Sequence, residues 1–356
     1  MTDQLTIQCG PADGRGVRLV FASIGDIVHR HKFDVDDSFR RKKFREDVIH
    51  KFGFGDDAHE AIEKQLIQAA DNEDVCSGSL WEPVTTTLSQ VASSTAEYLW
   101  PGRIPLRMLT TVDGDGGVGK GLAMMAIAAR GSRGDSMPPV SAPDGTFEPW
   151  STLFITGEDS PEFVLRPRLD AAGGDPGRII TMSSVEIPES DRRTIALLED
   201  ISLIERVVEN NEVKLVVIDP YSEFIDPHLN MNSDPDNRKC LGPLAEMAQR
   251  TGAAVVMVRH LNKKEGQSAQ YRGSGSTAPL NASRAAFIVA PDPEDPDLRV
   301  LACTKFNIGP KPVSLRFRIE PAGTTARVRW EGECELTAGD LVKTHSKCEG
   351  SKVGQL

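Results

Sequence analysis

The stretch PLRMLTTVDGDGGVGKGLAMMAIAAR, residues 105–130, sets the fold class. PLRMLTTV (105–112) is a short apolar run suited to a buried strand, and LAMMAIAAR (122–130) is rich in helix formers. Between them Gly114-Asp115-Gly116-Gly117-Val118-Gly119-Lys120 fits the pattern G-x-x-x-x-G-K. That pattern is informative only after a strand and before a helix, and both flanks are predicted here. Glycines let successive backbone N–H groups turn inward around phosphate oxygens. The helix that opens here adds the positive end of its dipole. Lys120 supplies a point charge for β- and γ-phosphates. Residues Gly114 to Lys120, extended into the helix by Gly121 and Leu122, are therefore the expected nucleotide-binding set, with ATP and Mg2+ the expected cofactors. Gly121 departs from the pattern. A Ser or Thr there would offer Mg2+ a hydroxyl, so one ligand is missing; a water could take that position, and whether hydrolysis is slowed is left open by the sequence.

Working outward, the same rhythm continues. STLFIT (151–156) precedes PEFVLRPRLDAAG, and RIITM (178–182) precedes a helical stretch TIALLEDISLIERVVENN (194–211). KLVVID (214–219) precedes NRKCLGPLAEMAQRTG, and AAVVMVRH (253–260) follows. Apolar strands alternating with amphipathic helices predict an α/β fold, a mostly parallel twisted sheet with helices on both faces. RAAFIVA (284–290), RVLACTKF (299–306) and VSLRFRI (313–319) have no helices between them, so that side of the sheet should end in antiparallel strands. The core is expected over residues 91–335, with a weakly ordered tail at 336–356. Residues 131–150 and 261–281, rich in Gly, Ser or Pro, should be loops.

Residues 1–90 read as a small α+β module: two strands within 15–34, then helices over 36–54 and 56–72. The run Arg40-Arg41-Lys42-Lys43 alternates with Asp36, Asp37, Glu46 and Asp47, which favours a solvated helix face over a nucleic-acid site. Residues 75–95 read as a Ser/Thr-rich linker. The net charge of −11 argues against bulk coating of DNA but permits a local basic channel. The six cysteines, at 9, 76, 240, 303, 334 and 348, form no C-x-x-C pair, and reduced thiols are expected. With no apolar run of about 18 residues and no secretory h-region, a cytoplasmic protein without membrane contact is expected.

Two strand ends carry acids. Asp219 closes KLVVID, and a carboxylate at the end of a buried strand beside the P-loop strand would hold Mg2+. ATP hydrolysis also needs a carboxylate to polarise the attacking water. The residue after Asp219 is Pro220, which cannot act as a base. Glu158, after STLFIT, ends the strand that follows the P-loop helix, the place where RecA-like ATPases carry this glutamate, and by that resemblance it is the expected base.

TGEDSPEFVLRPRLDAAG, LVVIDPYSEFID, TGAAVVMVRHLNK and YRGSGS, with YLWPGRIP before the P-loop strand, together resemble the RepA-like hexameric replicative helicases of phages and plasmids. The resemblance covers residues 97–320. It implies a RecA-like P-loop NTPase core, a homo-oligomeric ring of six, ATP sites between neighbours and single-stranded DNA as partner. By position it makes Lys120 the P-loop lysine, Asp219 the metal-holding aspartate, Glu158 the catalytic glutamate and His260 the γ-phosphate sensor. The loop after His260 would face the channel. From Arg259 to Arg284 five basic residues stand against one acidic, and Lys263, Lys264 and Arg272 could track a backbone while Tyr271 stacks a base. A cation supplied to the neighbour's site is assigned first to Arg284 and second to Lys305, because Asn307 stands where the related Lys-x-Arg would put arginine. Residues 1–90 would dock a replication partner, by analogy alone. A slow loader or regulatory ATPase, and a nucleotide-binding structural protein, remain open alternatives.

Overall fold

Hydrophobic residues sort into separate cores in two units, Met1–Ser93 and Ser94–Leu356. The computed structural model describes residues 5–9, 17–24, 27–71, 85–139, 148–186, 192–261 and 276–341. The expected DNA-contacting residues Lys263, Lys264, Tyr271 and Arg272 lie outside them.

In the first unit, β1 (Thr6–Cys9), β2 (Val17–Ile24) and β3 (Ile27–Asp34) form an antiparallel sheet in that order. Two helices follow, α1 (Ser38–Phe52) and α2 (His59–Asp71). Asp37 caps α1 by accepting from the Phe39 and Arg40 amides. Phe44 and Val48 of α1 and Ile62 and Leu66 of α2 are fully buried with Val20, Ala22 and Phe33 of the sheet. Arg41 and Arg45 each pair with Glu63 at 2.9 Å, so these arginines of α1 are spent on helix packing.

The second unit opens with a short antiparallel pair, β4 (Tyr98–Trp100) and β5 (Ile104–Pro105). Then come β6 (Leu109–Gly114), α3 (Lys120–Arg133), β7 (Ser151–Ile155), α4 (Arg166–Ala171) and β8 (Ile179–Met182). A small hairpin, β9 (Ser184–Glu186) and β10 (Arg192–Thr194), leads to α5 (Ile201–Asn210). The chain continues through β11 (Val213–Ile218), α6 (Asp234–Thr251), β12 (Ala254–His260), α7 (Ala278–Ala282) and β13 (Ala285–Pro291). It closes with β14 (Leu298–Phe306), β15 (Ser314–Ala322) and β16 (Thr325–Cys334).

These strands build one nine-stranded sheet in the order β16-β15-β14-β13-β6-β12-β11-β7-β8. From β13 to β8 every neighbouring pair is parallel. The remainder is antiparallel. Alternation along a strand sends successive residues to opposite faces. Leu215 and Val217 accordingly pack with α3, while Val216 and Ile218 pack with α5 and α6. The chain is thus an α/β protein, with helices on both faces of a mostly parallel sheet.

Three differences from the sequence reading have local causes. The helix expected from residue 194 starts at Ile201, because Arg192–Thr194 pairs with β9. Asp200, only 2% exposed, holds that bend by accepting from the Ala196 amide and the Arg193 guanidinium. A fourth strand, β16, extends the antiparallel side. Its solvent face alternates charge: Arg327 and Arg329 reach Glu320, and Arg329 also pairs with Glu331. Of the expected tail, residues 336–341 are packed, with Ala338 and Leu341 buried against Val300 and Ala302.

Gly131 sits where α3 meets Trp150. A β-carbon there would stand 2.1–2.5 Å from three indole atoms, and Trp150 is itself only 6% exposed. Gly131→Val is therefore expected to destabilise the protein by about 1–3 kcal/mol through overpacking, read as a lower urea midpoint at unchanged m-value. An unchanged midpoint would show that the indole can move aside.

Candidate active site

Open α/β sheets bind ligands outside the carboxyl ends of their parallel strands. A cleft of about 280 Å3 lies there, lined by Gly117, Gly119, Lys120, Gly121, Leu122, Thr156, Glu158, Asp159, Arg168, Asp219, His260 and Ile319. The expected lysine, base, metal-holding aspartate and sensor therefore meet in one place, brought by the ends of β6, β7, β11 and β12.

The loop from Gly114 to Lys120 leaves β6 and enters α3 through Gly119, whose φ of 91° favours glycine. A β-carbon there would also stand 2.6 Å from Ile319 Cδ1, so β15 closes over the loop. Lys120 is 6% exposed, and its Nζ donates to the Gly114 and Asp115 carbonyls at 2.8 Å each. Burial pushes its pKa down; Asp219, Asp115, Asp113 and Glu158 push it back up. Beneath the loop, Asp113 of β6 faces Arg259 of β12 at 3.1 Å, both nearly inaccessible to solvent. Burial raises the Asp113 pKa against the opposing pull of Arg259 and Lys120.

The sequence reading set the Asp219 strand beside the P-loop strand, and this is corrected. β12 lies between β11 and β6. Asp219 nevertheless reaches the loop. Its amide donates to the Ile155 carbonyl at 2.9 Å, and its Oδ2 lies 2.7 Å from where a β-carbon on residue 121 would stand. The missing hydroxyl of Gly121 thus has a spatial counterpart: the carboxylate occupies the room a serine would need. Burial first, then Asp159 and Glu158, raise the Asp219 pKa to about 6, with Lys120 opposing. As oxygen donors at the end of α3, Asp219 and its acidic neighbours suit a hard divalent cation such as Mg2+.

Glu158 is exposed to the cleft. Its neighbour Asp159 is fixed by Arg168, whose Nη1 donates to Asp159 Oδ2 at 2.8 Å. His260 is half-buried, and burial followed by Lys120 holds its pKa below the usual imidazole value, so it is neutral near pH 7. Such an imidazole can hydrogen-bond an oxyanion without adding charge.

Arg284 and Lys305 do not line this cleft. Lys305 Nζ donates to the carbonyls of Leu280 and Asn281 at the end of α7, close enough to Arg284 for mutual repulsion to lower its own pKa, after burial. The exposed Arg284 side chain stands at the head of β13. Neither cation serves this copy's site.

Sequence reasoning missed Arg168, Thr156, Ile319 and Glu223. Arg168 sits in RPRLDAAG beside Arg166, and nothing local separates an arginine that turns into the cleft from one that pairs with Asp170. Ile319 comes from a distant strand. Glu223 Oε1 lies 2.0 Å from a would-be β-carbon on Gly157, and its carboxyl is raised by burial and by Glu158. Only Gly157 lets these two carboxylates approach so closely.

The family model described as AAA domain matches residues 81–266, just over half of the chain. A comparison with curated proteins found no match.

The raised carboxyl of Asp219 carries a sign. Its stabilising, protonated form is complete below the ordinary value of 3.8 and is lost as pH rises through about 6. Asp219→Asn, neutral at every pH, is expected to leave stability unchanged below about pH 4 and to raise it by about 1–3 kcal/mol above about pH 7, the partial exposure trimming the gain. Urea titrations of the nucleotide-free protein at both pH values check this; an equal effect at both would contradict it.

Proposed function

This chain belongs to the AAA domain family of P-loop ATPases, and we propose that it spends ATP hydrolysis on DNA as a helicase-like motor with a RecA-type core. The observation that carries the reading is the convergence of Lys120, Asp219, Glu158 and His260 on one cleft at the carboxyl ends of four strands. In this reading the loop amides and Lys120 hold the triphosphate. Lys120 exchanges its two carbonyl partners for phosphate oxygens. Asp219 would hold Mg2+, and a bound Mg2+ would supply neutralisation of phosphate charge. Glu158 accepts a proton from the attacking water, and its exposure gives that water access. His260 hydrogen-bonds the γ-phosphate and lies directly before the basic segment containing Lys263, Lys264, Tyr271 and Arg272. A strand end that senses phosphate and precedes a cationic segment of sequence supports coupling of nucleotide state to a single-stranded backbone.

A homo-oligomeric ring, with six copies as the family resemblance implies, fits two features. Arg284 and Lys305 are cations outside their own cleft and are available to a neighbour's. In the isolated copy Arg168, held by Asp159, lines the cleft as its second permanently charged cation beside Lys120. The first unit would then serve as the docking module for a replication partner.

A second reading, a slow loader or regulatory ATPase, is favoured by the net charge of −11. Steady-state turnover with and without single-stranded DNA separates the two. The motor reading expects clear stimulation, with strand separation on a forked substrate; turnover indifferent to DNA supports the loader. Lys120→Ala is expected to abolish turnover in a folded protein. Glu158→Gln should retain nucleotide binding and lose about 100–10,000-fold in turnover, and unchanged turnover would remove Glu158 from its role. Gly121→Ser should lower turnover, because its side chain displaces the Asp219 carboxylate before it can help hold Mg2+. A faster Gly121→Ser enzyme would overturn that account.

A further inference from the structure

Among the described residues one cluster with metal-ligating chemistry lies in the first unit, remote in sequence from the nucleotide cleft: His29, His31 and Asp47. The two histidines are two apart on β3 and so share a face. Both rings lie against Phe44 of α1, with centroids 5.7 and 6.0 Å away. Asp47 is three residues beyond Phe44 and therefore on the same side of the helix. One donor atom from each of the three lies within 4.8 Å of the other two.

Two details separate this cluster from an ordinary ion pair. His31 Nε2 stands 3.3 Å from Asp47 Oδ2. Donors around a tetrahedral ion with bonds of about 2.0–2.1 Å stand about 3.3 Å apart, so this edge already has the required length. The second detail is His29. Its Nε2 is buried and has no hydrogen-bond partner among the described residues. Leaving a buried polar atom unpaired is costly. A His31–Asp47 pair explains two of the residues and leaves the third unexplained.

We propose that His29, His31 and Asp47 form a binding site for a divalent transition-metal ion, Zn2+ in the first instance, that ties β3 to α1. Two imidazoles and one carboxylate match borderline-soft ions of this kind, whereas Mg2+ and Ca2+ prefer oxygen throughout. The 4.8 Å spread requires a closure of about 1.5 Å to reach that tetrahedral spacing. Val35, Asp36 and Asp37 are all that part β3 from α1, so strand and helix are held near each other by a short connection. Lys51, one turn beyond Asp47, opposes a cation, but it is exposed and free to swing into solvent. Three protein ligands leave a fourth position for water. The site is independent of the nucleotide-dependent function proposed above.

The test is titration of the full chain with Co2+, a spectroscopic substitute for Zn2+, in excess Mg2+ and ATP so that the nucleotide cleft is saturated. The expected result is visible d–d absorption that saturates at one equivalent and is abolished by Zn2+. Loss of a mere supporting group costs about 10–100-fold in metal affinity, so His29→Gln and His31→Gln should each weaken Co2+ binding by about 100-fold or more. Asp47→Asn, which preserves shape, should weaken it about 10-fold or more and guards against a histidine variant that fails to fold. His228→Gln, in the second unit, should bind as the parent does. Absence of saturable absorption, or equal affinity in folded His29→Gln, His31→Gln and Asp47→Asn proteins, would overturn the proposal.

Discussion

The site depends on keeping one ammonium group, that of Lys120, almost out of water. A buried cation is tolerated only with hydrogen-bond partners and opposing charge. The fold supplies both. Two loop carbonyls accept from Nζ, and Asp113, Asp115, Asp219 and Glu158 surround it electrostatically. Each acid arrives from a different strand end or from the loop itself, so the parallel sheet and the glycine turn are conditions for that one charge. Asp113 in turn leans on Arg259, which extends the chain of compensation from the loop into β12 and to the residue before His260.

The same crowding explains the departure at residue 121. A hydroxyl-bearing side chain and the Asp219 carboxylate compete for one volume, and here the carboxylate has it. Asp219 is consequently the side-chain oxygen that meets the place a β-carbon of residue 121 would take, and burial among other acids raises its affinity for a proton. Gly157 plays the corresponding part on the β7 side, admitting Glu223 next to Glu158. Two glycines without side chains thus set how closely the acidic groups approach.

Much of this was legible in the sequence for a physical reason. Strand-ending residues of a parallel sheet share one edge, so finding Glu158, Asp219 and His260 at the ends of apolar runs located them together before any coordinates. The strand order was not legible. LVVI of β11 and AVVMV of β12 are equally apolar, and only the completed sheet shows β12 between β11 and β6. The late start of α5 was hidden as well, because the Arg193–Asp200 pair that bends residues 192–200 looks in sequence like one more helical i, i+7 spacing. Arg168 and Ile319 were invisible for a third reason: their roles come from what crosses above the loop, and no local pattern records that. The AAA domain match, ending at residue 266, covers the strands that carry the four convergent residues and stops before β13 to β16.

Those last strands leave β16 as an open margin of the sheet, and its outward side chains form a lattice of arginine and glutamate. Backbone groups along such a margin invite a second chain to join the ladder, and charged residues there are a recognised deterrent. Copies of this protein should accordingly not fuse their sheets end to end through β16. An assembly that met at this margin would have to join through side-chain surfaces rather than through a continuous ribbon of backbone.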